Sequence, residues 1–119
     1  MLNDYSGSQS VYLVTGYTDL RRGIDGLAGI IENSFQMSPY DKNSLFLFCG
    51  RRADRIKGLL FEGDGFLLLY KRLEAGRFDW PRNESEALSI TPQQYVWLMQ
   101  GLSVEQKKLI PQVNPKRLT

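Results

Sequence analysis

The stretch from Arg55 to Lys71 constrains this chain more than any other. Two apolar-rich runs, Arg55 to Phe61 and Phe66 to Lys71, flank Glu62-Gly63-Asp64-Gly65. Glycine and aspartate tolerate the positive φ that a tight reversal needs, so the pattern is that of a β-hairpin. With Glu62 paired to Gly65, Phe61 faces Phe66, Leu59 faces Leu68, Lys57 faces Tyr70 and Arg55 faces Arg72. A turn at Asp64-Gly65 slides the register by two and leaves the same side chains on one face. The hairpin is therefore apolar near its turn and cationic-aromatic at its far end. Arg51 and Arg52, in the connection Gly50 to Asp54, belong to that same end.

The rest of the chain supplies partners for the hairpin. Val11 to Thr15 is rich in β-branched and aromatic residues and stops at Gly16, as a first strand would. Ile24, Leu27, Ala28, Ile31 and Phe35 follow helical spacing and form one apolar face. Thr18 or Asp19 is the expected cap of that helix. Gly23, Gly26 and Gly29 weaken it, so packing must hold it. Ser38 to Asn43 reads as a turn, and Leu45 to Cys49 is apolar on both faces, which suits a central strand. Phe78 and Trp80 alternate within Arg72 to Arg82 before Pro81, the expected site of a short edge strand. Thr91-Pro92-Gln93-Gln94 carries a capping threonine, proline at the first helical position and a glutamine that can reach back. Tyr95, Leu98, Met99 and Leu102 form the apolar face of this second helix, and Gly101 ends it. The expected fold is α+β: a single domain over 1–103, its core at about 10–102, with a mostly antiparallel β-meander sheet and two helices packed on one face. The segment 104–119 is expected to be a basic, partly disordered tail.

Composition excludes several classes of function. At 119 residues, 42% of them hydrophobic, the chain can bury a core without disulfides, and its single cysteine, Cys49, suits a reducing compartment. No run is apolar enough to span a membrane, and Met1 to Ser10 carries no export signal, so a cytoplasmic location is expected. Histidine is absent, which removes Ser-His and Cys-His nucleophile systems and His-ligated metals. Of the candidate carboxylates, Asp19, Asp25, Asp54, Glu62, Asp64 and Asp79, none forms a ligand pair by spacing. The glycines at 23, 26 and 29 miss the dinucleotide fingerprint by one step and lie inside a helix. Cys49 reads as a small buried hydrophobe. No enzyme, cofactor or metal is expected.

Charge points elsewhere. The net charge is only +2, yet Arg51 to Arg82 holds eight Lys/Arg against five Asp/Glu. Forked guanidinium donors match phosphate oxygens, and an aromatic plane can stack a base. Arg51, Arg52, Arg55, Lys57 and Arg72 can converge around Tyr70, with Arg77 and Arg82 nearby. The alternative is a solvated rim in which Asp54, Glu74 or Asp79 neutralises these cations.

Several strings together carry a family resemblance. They are Thr18 to Leu27 (TDLRRGIDGL), Phe48 to Lys57 (FCGRRADRIK) and Gly63 to Pro81 (GDGFLLLYKRLEAGRFDWP), joined by the helix start Ile90 to Gln94. Over about residues 10–102 the chain resembles the TnpB accessory proteins, the second-reading-frame proteins of insertion-sequence-66-type bacterial transposable elements. It departs at Cys49, where arginine or asparagine is common, and at Gly58 and Leu59, which replace a bulkier pairing. The tail lies outside the recognisable pattern. The resemblance implies a role in transposition beside a separate transposase and carries over no catalytic residue.

Two functions are therefore expected. One is a non-catalytic accessory factor that binds DNA through Arg51, Arg52, Arg55, Lys57, Tyr70, Lys71, Arg72, Arg77 and Arg82, with Arg21 and Arg22 adding donors beside the first helix. The other is an adapter that binds the transposase or another element-encoded protein through Tyr70, Phe78 and Trp80 without touching DNA.

Overall fold

A computed structural model describes residues 9–105 of the chain. The elements run β1 (Ser10–Val14), α1 (Ile24–Phe35), β2 (Ser44–Cys49), β3 (Arg55–Phe61), β4 (Phe66–Arg72), β5 (Ala87–Ile90) and α2 (Pro92–Met99). All five strands join one sheet in the order β4-β3-β2-β1-β5. Only β1 and β2 are parallel, as two strands bridged by a helix must be when the crossover returns the chain to its starting edge. The other pairings are antiparallel, and the class is α+β.

The hairpin has the register in which Glu62 pairs with Gly65. Glu62 N donates to Gly65 O at 2.8 Å, and Phe61↔Phe66, Lys57↔Tyr70 and Arg55↔Arg72 are partners. Phe61, Phe66 and Tyr40 cluster at the turn, with ring centres 5.0–5.3 Å apart.

The helices do not share one face, which corrects the expected layering. Phe46 and Phe48 of β2 pack with Val14, Leu59 and the α1 residues Leu27, Ala28 and Ile31. Leu45, Leu47 and Cys49 point the other way, into a cluster with Ile56, Ile90 and the α2 residues Tyr95 and Leu98. Every residue of β2 is buried. A strand apolar on both faces needs cover on both, so the helices separate.

Three local expectations also change. The segment after β4 is not an edge strand: it crosses the α2 side of the sheet, laying Phe78 and Trp80 into that cluster, and the edges of the sheet are β4 and β5. The N-cap of α1 is Gly23 with no side-chain cap, because the chain turns once more before the helix starts and Asp19 bonds Arg21 instead. The α2 box forms as expected, with Gln94 N donating to Thr91 Oγ1 at 3.1 Å and Thr91 N to Gln94 Oε1 at 2.8 Å. That helix ends at Met99, however, which leaves Leu102 exposed. Val104 is buried with the α2 cluster, and the expected tail lies outside the described residues from 106 onward. No helix among the described residues is long and apolar enough to cross a membrane.

Candidate nucleic-acid interface

Topology brings four chain segments to one end of the sheet. Parallel β1 and β2 both finish there, so the loops after Val14 and after Cys49 emerge side by side. Antiparallel pairing then starts β3 and ends β4 at the same place. This is the kind of crevice, outside the carboxyl ends of adjacent parallel strands, where α/β sheets commonly bind ligands. The loops are tied closely. Thr18 N donates to Cys49 O at 2.9 Å, and a Cβ on Gly50 would lie 3.3 Å from the Thr18 carbonyl oxygen, so any larger residue there would press the two loops apart by a few tenths of an ångström.

Between these segments lies an open groove of about 930 Å³. Leu20 and Leu68 supply apolar wall, Tyr17 and Tyr70 supply rings, and Arg21, Arg51, Arg52, Arg55 and Lys57 supply charge. The two tyrosines are 61% and 55% exposed, unusual for large rings that a core could take.

The cations are not equivalent. Arg21 forks onto Asp19, with Nε to Oδ1 at 3.0 Å and Nη2 to Oδ2 at 2.9 Å. These bonds, with that from the Arg21 backbone amide, hold the exposed Asp19 carboxyl down to about 2. Arg55, with only 28% of its side chain exposed, pairs with Asp54 at 2.9 Å, and that bond lowers the Asp54 carboxyl. Lys57 Nζ donates to the Arg22 carbonyl at 3.0 Å, a neutral acceptor. Among the described residues Arg51, Arg52 and Lys57 have no carboxylate within salt-bridge distance. Three groove cations thus keep their charge available to an anion.

Other expected site residues lie elsewhere. Arg22 is exposed and offers Lys57 its carbonyl rather than a cation to the groove. Lys71 points to the opposite face of β4, opposite Ile56. Arg72 shares the groove face but stands beyond its lining, 3.9 Å from Glu74. The Arg77 carbonyl lies beside Gly101, at the α2 terminus. Arg82 is structural: Nη1 donates to Gly16 O at 2.7 Å and Nη2 to Gly50 O, clamping the two loops together. Phe78 and Trp80, expected as partner anchors, are 2% and 4% exposed and pack in the core. Pattern-based reasoning missed Tyr17. Its signal was an aromatic directly after the glycine that ends the first strand, in a loop leading to a helix.

Cys49 is fully buried, and burial pushes its thiol above the ordinary range although the Arg82 guanidinium opposes this. Among the described residues no group of three or more Cys, Asp or Glu side chains is placed to hold a metal ion.

Fold and groove together define a small α+β protein with a basic, aromatic-lined groove at the carboxyl end of a parallel strand pair. The family described as IS66 Orf2 like protein matches residues 9–109, and the chain belongs to that family. It is similar to two proteins of Sinorhizobium fredii (strain NBRC 101917 / NGR234). Uncharacterized protein y4hO is 39% identical over 92 residues, covering 77% of this chain and 79% of that protein. Uncharacterized protein y4jC is 30% identical over 108 residues, covering 91% and 92%. No solved structure matches. Family membership associates the chain with an accessory role in transposition.

Proposed function

We propose that this protein is a non-catalytic accessory factor of transposition that binds DNA in the groove between Tyr17 and Tyr70. The observation that carries the reading is the set of cations that form no ion pair among the described residues, Arg51, Arg52 and Lys57, gathered beside exposed aromatic rings. Arg21 and Arg55, by contrast, are paired with Asp19 and Asp54. The transposase is its expected companion. An adapter that avoids DNA loses support, because two of its three expected anchors, Phe78 and Trp80, are in the core.

Binding of labelled oligonucleotides across a salt series tests this. Affinity should fall steeply with salt, by roughly 0.7 to 0.9 log unit per log unit for each phosphate neutralised. Arg51→Ala with Arg52→Ala should flatten that slope by roughly two units and leave the melting temperature unchanged, since exposed loop charges add little to folding. No binding to any DNA at low salt, together with capture of the transposase by the same surface, would replace this reading with the adapter.

A further inference from the structure

Both groove tyrosines are built the same way. The Arg82 guanidinium carbon lies 4.3 Å from the centre of the Tyr17 ring, and its nitrogens are committed to the Gly16 and Gly50 carbonyls. Lys57 Nζ lies 6.0 Å from the centre of the Tyr70 ring and is committed to the Arg22 carbonyl. Each ring is thus backed by a cation that the backbone locks in place, while more than half of the residue stays exposed. Cation–π attraction steadies such a ring without burying it. The loss of rotamer freedom that would otherwise oppose stacking is already met in the folded protein.

From this construction we infer that the groove takes an unpaired DNA strand, with bases stacked on Tyr17 and Tyr70 and phosphates held by Arg51 and Arg52. The inference rests on the DNA-binding reading and specifies the form of DNA. Duplex DNA shows a groove its phosphates and hides its base faces. Phosphate oxygens pressed against Leu20, Leu68 and the two rings would lose hydration with no hydrogen bond in return, which costs free energy. An unpaired strand offers flat apolar base faces to the rings and a flexible phosphate chain to the rim. Arg51, over the Tyr17 ring at 5.7 Å, has no carboxylate partner among the described residues and is free to turn to a phosphate. Stacking is tolerant of sequence, because every base has a π face, so little base preference is expected.

The test compares full-length protein binding to a mixed-sequence DNA strand of about 15 nucleotides, its duplex, the same strand with abasic positions, and the matching RNA, all at one salt concentration. The DNA strand should bind more tightly than the duplex and the abasic strand, and at least as tightly as the RNA. Tyr70→Ala and Tyr17→Ala should each weaken strand binding about 5- to 150-fold and leave duplex binding nearly unchanged. Tyr70→Phe and Tyr17→Phe keep the ring and should restore binding, which separates stacking from a folding defect. Equal binding of strand and duplex, with tyrosine variants affecting both alike, overturns the unpaired-strand inference while DNA binding stands. An abasic strand bound as tightly as the intact one also overturns it, and tighter RNA binding overturns DNA as the ligand. If neither DNA form binds at low salt, both readings fall.

Discussion

The indole nitrogen of Trp80 donates to the Val14 carbonyl oxygen at 3.0 Å, which pins the crossover after β4 against the last residue of β1. Both residues are buried, so the bond forms away from competing water. Trp80→Phe keeps most of the packing and removes this donor. It should cost about 1–3 kcal/mol, read as a lower urea midpoint, and leave DNA binding intact at temperatures where the protein is folded. A Trp80→Phe protein of full stability that fails to bind its partner would return Trp80 to the interface.

Arg82 should matter to the fold before it matters to any ligand. Arg82→Ala leaves the Gly16 and Gly50 carbonyls without their charged donor, and should destabilise by about 2–3 kcal/mol. Arg82→Lys can serve one carbonyl and cannot span both, so its melting temperature should fall between those of wild type and Arg82→Ala.

Removing the Thr91 hydroxyl tests the α2 cap. Thr91→Ala should cost about 1 kcal/mol, whereas Thr91→Asp, which still offers an acceptor to Gln94 N, should be close to neutral. Chemical denaturation of the two variants distinguishes a capped helix start from an incidental contact.

Cys49 should behave as a core residue. Its thiol should resist alkylation at mildly alkaline pH in the folded protein and react promptly in denaturant, because burial both hides it and disfavours the thiolate. Cys49→Ala should retain DNA binding and lose about 1 kcal/mol to the small cavity.

The Asp19 carboxyl should titrate near 2 by carboxyl-carbon NMR, against an ordinary value of 3.8. Its folded value lies below the unfolded one, so its contribution to stability is present above about pH 4 and is lost as pH falls through about 2. Arg21→Ala removes the side-chain donors but keeps the backbone amide, so the value should rise part of the way toward 3.8.

Much of the candidate site was legible because strand alternation is a local rule. Once the Glu62-Gly65 turn is recognised, Arg55, Lys57, Tyr70 and Arg72 must share a face, and they do. The turn residues carry that information themselves. Tyr17 and Arg21 were harder to place beside this group, because nothing local to them states which strand lies next to β1. Arg82 looked like one more cation in a basic stretch, and its role as a clamp depends on two loops from distant parts of the chain.

By itself the sequence determined the elements whose causes are local: which hairpin side chains share a face, the α1 apolar face, the Thr91 capping box, the buried thiol and the double-faced β2. Tertiary structure alone decided which cations are neutralised, which aromatics are core, and which face each helix covers. Phe78, Trp80, Tyr17 and Tyr70 are chemically alike in the chain. Two are buried because the crossover after β4 lays them over the α2 side of the sheet, and two stay exposed on the groove wall, each with a cation beside its ring. Burial and charge pairing depend on contacts between residues far apart in sequence, and no spacing pattern records them.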